Sequence, residues 1–308
     1  MKRKLYIGLI AMALFGASCS DDTDGRLQDR QVRLSTGIRP PTRAVLDRFN
    51  GETVAFAKGV ASGRYTEYWQ AVATSGETRL LGEHTYPENH AWLYLRGYYP
   101  VGKLIDGKVE YRLDGETDLM ATVEQKGNLV NNFSLSDKTF YFNHLLTQVS
   151  FEIRTSQSET REMRLASLRV AGSRPEAVLP LAQPTAGELP EPQFSGDPEV
   201  LTAYVEPERG GGVLLSREVS VLPEPLLVEP GAPLLLEAKV WLSNGTARTY
   251  TDLPVHFDEV GGVSRAGTAY RIRLTLHPSD KPGGSGTVEI GAVVTPWIAS
   301  GTGIGTIQ

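Results

Sequence analysis

The sequence predicts an all-β chain, and three observations carry that expectation. Turn formers are plentiful, with 32 Gly and 19 Pro. Apolar residues recur with a period of two in many short runs, the pattern of strands with one buried face. Runs with the period of a helix are hard to find, so strands divided by turns are favoured over mixed classes. The chain has 308 residues, enough for two average domains of about 150 each. Hydrophobic residues make up 40% and charged residues 22%, an ordinary balance for a chain that buries a core.

Residues 1–18 read as a secretory leader: Lys2, Arg3 and Lys4, an apolar run over 5–15, then Gly16, Ala17 and Ser18. Net charge is −5, and −8 once those three cations are set aside. A mildly acidic chain has no electrostatic footprint for nucleic acid. No later run approaches the ~18 apolar residues of a membrane span. Cys19, the sole cysteine, follows the small residues directly and cannot form an internal disulfide. Its position resembles a bacterial lipobox, with Gly16 where leucine is usual. That implies a diacylglyceryl group on the sulfur and attachment to the cell outer membrane; plain secretion is the alternative. Residues 19–30 form an acidic tether, and Ser20-Asp21-Asp22-Thr23-Asp24-Gly25 is similar to the export signal of surface lipoproteins in Bacteroidetes-type bacteria. A calcium loop aligned on Gly25 would place Gln31 where the bidentate glutamate belongs, so that reading is rejected.

Residues 31–43 begin the folded part. Val32, Leu34, Thr36 and Ile38 alternate with Arg33, Ser35, Gly37 and Arg39, so one set faces a core. Arg39-Pro40-Pro41 ends the strand, because proline cannot donate to a ladder. Thr42-Arg43-Ala44 follows as a polar link that an Arg-cutting protease could open. Two readings stay open: an ordinary first strand, or an edge strand that proteolysis can remove. Removal would take about four apolar residues from a groove, at ~1.5–3 kcal/mol each if fully buried.

The first sandwich is expected over 31–172. Its strands are 53–58, 65–74, 91–99, 108–113 after the turn residues Asp106-Gly107, 164–170, and the strongest, 142–154. In that last strand Leu145, Thr147, Val149, Phe151 and Ile153 make one face. The other face is mostly polar, as in an antiparallel sheet wet on one side, with His144 at the strand edge. Residues 173–198, dense in Pro, Gly, Ser, Ala and Glu, read as the linker between domains. The second sandwich, 199–308, holds strands at 200–206, 234–242, 247–251, Ala269–His277 and 288–294. Asn244-Gly245 suits a type I′ hairpin turn. The last residues, 298–308, carry Ile298, Ile304 and Ile307 among glycines and bury too little to fold alone, so a mobile tail is expected unless something receives it.

No catalytic or cofactor constellation stands out. His84, His90, His144, His256 and His277 lack metal-ligand spacing. There is no GxSxG, no phosphate-binding loop, and no GxGxxG after a strand. The expectation is a protein that is not an enzyme and needs no cofactor. Trp69, Trp92, Trp241 and Trp297 leave open a binding module that stacks on sugar rings, with a covered core aromatic as the plainer reading.

Several pieces in order resemble the fimbrillin family of Bacteroidetes-type pilins and their lipoprotein relatives. They are Gly97-Tyr98-Tyr99-Pro100, Asp118-Leu119-Met120, Phe142-Asn143-His144-Leu145-Leu146-Thr147-Gln148-Val149 and Gly267-Thr268-Ala269-Tyr270. The resemblance implies two transthyretin-like antiparallel β-sandwich domains behind a lipoprotein signal peptide. It implies a structural or adhesive pilus subunit at the outer membrane, whose partners are other pilin subunits and an Arg-specific protease. On that pattern Arg43 is the cleaved residue and Ala44 the new first one. Val32, Leu34 and Ile38 belong to the released strand, and the tail with Ile298, Ile304 and Ile307 is the donor to a neighbour. The alternative is a surface lipoprotein that never polymerises and binds a host protein or glycan.

Overall fold

A computed structural model describes residues 30–39, 49–74, 77–156, 162–209, 211–257, 259, 261–277 and 286–295. Among the described residues every named element is a strand. The first nine strands are β1 (Thr36–Ile38), β2 (Glu52–Ala61), β3 (Arg64–Thr74), β4 (Glu77–Leu80), β5 (Leu93–Tyr99), β6 (Val109–Arg112), β7 (Met120–Ala121), β8 (Gln125–Gly127) and β9 (Phe140–His144). Next come β10 (Thr147–Thr155), β11 (Met163–Ser173), β12 (Glu176–Leu179), β13 (Gln193–Ser195), β14 (Glu199–Val205), β15 (Val213–Leu215) and β16 (Ser220–Val221). The last are β17 (Leu226–Val228), β18 (Leu235–Leu242), β19 (Ala247–Pro254), β20 (Ala269–His277) and β21 (Thr287–Thr295).

These strands make four sheets. An eight-stranded sheet runs β1-β9-β7-β5-β2-β3-β4, with β8 also on β5, and a three-stranded sheet runs β13-β12-β6. One five-stranded sheet runs β16-β10-β20-β21 with β17 also on β10; the other runs β14-β11-β18-β19 with β15 also on β11. Pairing is antiparallel except for β1 on β9 and β10 on β20, which are parallel.

Side-chain size along β2 shows how one strand serves two cores. Val54 and Phe56 enter a core with Trp69, Leu95, Phe140 and Phe142. Ala55 and Ala57, on the opposite face, enter a second core with Val109, Ala177 and Leu179 from the three-stranded sheet. The third core fills the space between the two five-stranded sheets, with Val149, Phe151 and Ile153 of β10 facing Leu165, Leu168 and Val170 of β11.

The expected strand 142–154 is a correction. It breaks at Leu145-Leu146, where both leucines are buried instead of alternating, at 4% and 0% exposure. The main chain crosses there from the eight-stranded sheet to a five-stranded one. Leu145 N–H donates to Leu119 O at 2.8 Å, and Leu146 O accepts from Gly267 N–H at 2.8 Å. On the second face Gln148, Ser150 and Glu152 are buried, and Arg154 is exposed. The expected linker is a second correction. Residues 173–198 carry β12 and β13, and β12 pairs with β6 far back in the chain. The change of sheets thus comes at 145–146, and β10 and β11 pair with later strands.

The turns exchange roles too. Asn244 does not take positive φ; Gly245 alone does, at 76°. Gly245 N–H donates to Leu242 O at 2.9 Å, and the turn is type I closed by a left-handed glycine. Asp106-Gly107 is the type I′ turn instead, with φ of 48° and 73°.

A buried polar network ties the outer loop to the first cores. Arg96, fully buried, donates to Tyr65 Oη (3.2 Å), Glu188 O (2.7 Å) and Thr185 O (3.3 Å). Tyr65 in turn donates to Glu124 at 2.5 Å. Burial, then this bond to Glu124, hold the Tyr65 phenol well above the usual tyrosine range. Removing the cation from such a network strands its partners. Arg96→Met is therefore expected to lower stability by about 3–5 kcal/mol, read by urea unfolding; a loss below about 1 kcal/mol would show the network to be dispensable. Burial also raises Tyr98 and Tyr111. Their folded values exceed the unfolded one, so this stability is complete below pH ~10 and drains away as pH rises above it. Thermal melts between pH 8 and 11 should show a falling midpoint only at the alkaline end.

Candidate functional site: the slot of the first strand

Residues 30–39 lie in a slot with a partner on each side. The upstream half runs antiparallel to the segment around β4: Gln31 bridges Thr85 and Leu34 bridges Thr78. Val32 N–H donates to His84 O at 2.8 Å, and Tyr86 N–H to Arg30 O at 2.9 Å. The downstream half runs parallel to β9, with Thr36, Gly37 and Ile38 opposite Phe140, Tyr141 and Phe142. Phe140 N–H donates to Ser35 O at 2.8 Å, and Arg39 N–H to Phe142 O at 2.7 Å. Because β4 ends the eight-stranded order opposite β1, the segment joins the two free edges of one sheet. It is not the simple edge strand that the sequence suggested.

Burial follows the period of two. Val32, Leu34 and Thr36 are 3%, 5% and 4% exposed, and Ile38 is half-buried. Two apolar side chains are fully enclosed, fewer than the four expected. The third inward position is polar, and the Thr36 hydroxyl pairs with that of Thr78 at 2.7 Å. Gly37 sits where any Cβ would come within 3.2 Å of the Tyr141 ring. Arg39 stacks its guanidinium over that ring, 5.8 Å from the centroid. At the upstream end Arg30 donates to Tyr86 O and pairs with Glu88. Tyr86 belongs to the slot's core, and burial pushes its phenol up to about 12 while the Phe133 N–H it accepts pulls the other way.

A cleft of about 1050 Å³ opens where the strand ends, lined by Arg39, Asn143, His144, Pro184, Glu188 and Pro190 among others. His144, the last residue of β9, is 5% exposed and hydrogen-bonds to Asp118. Neither residue could be paired from the sequence, 26 positions apart, although each stands in a motif of the resemblance. Among the described residues no three His, Cys, Asp or Glu side chains gather as a metal set. Cys19, Arg43, Ala44, Ile298, Ile304 and Ile307 lie outside the described residues, as does Trp297.

Of the other tryptophans, Trp69 is buried while Trp92 and Trp241 are half-buried. Trp69 stacks on His84 at 4.3 Å. Lys126 lies 4.9 Å from the ring of Trp92. Trp241 carries Arg209 and Lys239 at 5.2 and 5.3 Å, and its N–H donates to Glu206 at 2.7 Å. Rings so occupied are poor platforms for a sugar.

No protein-family model and no curated protein matches the sequence. The fold does match solved structures. A candidate cell adhesion protein from Bacteroides uniformis superposes with a TM-score of 0.58 at 15% identity, covering 87% of this chain and 99% of that one. Another candidate cell adhesion protein, from Parabacteroides distasonis, gives 0.57 at 10% identity over 87% and 97% of the two chains. A fimbrial protein from Bacteroides vulgatus gives 0.54 at 13% identity over 86% and 99%. At such identities the likeness is one of fold.

If burial of the slot side chains holds the segment in place, Leu34→Ala should weaken its docking by about 2–4 kcal/mol. Amide exchange reads this directly. The N–H groups of Val32 and Arg39 should exchange faster while those of β20 keep their protection; equal protection in both variants would mean that the backbone pairing alone suffices.

Proposed function

We propose that this chain is a fimbrillin-like subunit of a cell-surface pilus, with a structural or adhesive role, assembled by strand exchange. The observation that carries the reading is the first segment itself, which bridges both edges of one sheet and is joined to the rest through residues 40–48, containing Arg43. Removing it would expose two rows of unpaired N–H and C=O groups and the pockets of Val32 and Leu34, a template for another chain's strand. The shared fold with a fimbrial protein and candidate adhesion proteins supports the same reading. In this account the leader directs export, Cys19 carries the lipid at the outer membrane, and an Arg-specific protease cuts between Arg43 and Ala44. Two transthyretin-like sandwiches then form each subunit.

The donor in this reading is the C-terminal tail of a second copy. Thr302-Gly303-Ile304 repeats Thr36-Gly37-Ile38, and in the same register Ile298 falls where Val32 stands. Each repeated residue meets a stated demand of the slot: a hydroxyl for Thr78, no Cβ beside Tyr141, an apolar group near Phe142. Ser300 falls at the place of Leu34 and fills it less.

Limited digestion with an Arg-specific protease, followed by size-exclusion chromatography, tests the proposal. The cut chain should form multimers, Arg43→Ala should stay monomeric, and Gly303→Val should be cut normally yet assemble poorly. A cut chain that remains monomeric with its first segment released would sink the exchange mechanism.

A further inference from the structure

We propose that the outer face of the β10–β20–β21 sheet is a docking site for an acidic polysaccharide, read by Arg154, Arg271 and Arg273. The cluster departs from how this chain handles arginine elsewhere. Arg112, Arg164 and Arg169 each face a glutamate of their own, Glu199, Glu162 and Glu237. Here Arg271 and Arg273 share one carboxylate, and Arg154 has none among the described residues. Glu152, with a side chain only 10% exposed, accepts from Arg273 Nε at 2.9 Å and lies 3.0 Å from Arg271 Nη1. Arg154 instead donates its Nε to the Thr275 hydroxyl at 3.1 Å. The nearest further carboxylate along the sheet, Glu289, faces His277 at 3.6 Å. With His277 neutral, three arginines stand against Glu152 and Glu289 on this face, a local excess of one positive charge on a chain of net charge −5.

The register fixes the spacing. Arg273 lies beside Glu152, and Arg154 beside Thr275, so Arg271, Arg273 and Arg154 point from the same face. Same-face neighbours along a strand are ~6.6 Å apart, and diagonal ones on adjacent strands ~7–8 Å. The guanidinium of Arg154 is held by its bond to Thr275 and that of Arg273 by Glu152, so neither must be ordered on binding. Their terminal nitrogens remain to grip a carboxylate or sulfate with two parallel bonds. Between them is a notch of about 170 Å³ lined by Glu152, Arg154, Val219, Arg273 and Thr275. Its size suits one acid group and the edge of a sugar ring. Val219 and Val221, 48% and 61% exposed, give that ring a short apolar wall. On the other side Gly291, opposite Arg273, leaves open space where a side chain would stand. Short valines do not enter a bilayer as a large apolar face would, which favours a glycan over a lipid surface.

The test uses the full chain before any processing, so its outcome is independent of strand exchange. Retention is measured on immobilised heparin and alginate, with neutral dextran as reference. The intact chain should be held by both acidic polymers at physiological salt and pass through dextran. The double variant Arg154→Ser/Arg273→Ser should lose at least tenfold in affinity with an unchanged melting midpoint. Arg112→Ser/Arg169→Ser, which removes the same charge elsewhere, should bind as the wild type does. Three results would overturn the proposal: flow-through of the wild type on both acidic polymers, an equal loss in the control variant, or tighter binding to vesicles of anionic lipid than to either polysaccharide.

Discussion

Everything else in the molecule hangs on the crossing at Leu145-Leu146. Two adjacent leucines both point into one core, which no continuous strand permits, since successive side chains alternate faces. The chain must therefore leave one sheet and enter another within two residues. The crossing is locked from several directions. His144 bonds Asp118, Leu145 bonds Leu119, and Gly267 donates to Leu146 O, at a place where a Cβ would come within 3.0 Å of His144 O. Thr147 donates its hydroxyl to Arg265 O at 2.8 Å. Leu227 and Ala269, from later strands, fill the same core.

That lock also explains why the slot can exist as a rigid object. β9 is the wall on which β1 rests, and its last residue is the one tied to Asp118. Its other edge pairs with β7, while Phe140 and Phe142 reach the core independently of the first segment. Gly97 allows this, because a Cβ there would come within 2.7 Å of the Phe142 ring. The opposite wall, β4 and residues 84–86, belongs to the hairpin that follows β3. Neither wall needs the first segment to define its course, so the segment occupies the slot without building it. An occupant must satisfy antiparallel pairing at one end and parallel pairing at the other, which fixes both its direction and its register.

The all-β class, and most of the long strands, were legible from period and turn residues alone: 269–277 matches β20 residue for residue. The alternation of Val32, Leu34 and Thr36 likewise names the side chains that the slot buries. What failed, failed for physical reasons. The run 142–154 kept its period in the sequence because Leu145 and Leu146 are both apolar, and period cannot say that a strand changes sheets. Residues 173–198 look like a linker by composition, yet Ala177, Leu179 and Leu181 alternate and are all buried, at 1%, 0% and 0%. That short signal was outweighed by the prolines around it. The four pieces that carry the family resemblance meet at the crossing or on β9, through Gly97, Asp118, His144 and Gly267, and so do the contacts that sequence order alone cannot reveal.

The small size of the first segment bears on how a removable strand can work at all. Only Val32 and Leu34 are fully enclosed apolar side chains, worth about 3–6 kcal/mol together. Backbone bonds add about 0.5–1.5 kcal/mol each in net terms, and ordering the segment takes much of this back. Within a continuous chain such a margin is ample, because the link through residues 40–48 keeps the segment at a high effective concentration beside its slot. A break in that link changes no contact in the slot. It turns closure into a bimolecular equilibrium, in which the lost translational and rotational freedom must be met again. In the proposed exchange, a segment cut free at the cell surface would then leave and not return. In the proposed mechanism proteolysis would not force the strand out; it would remove the tether that keeps a weakly held strand in place.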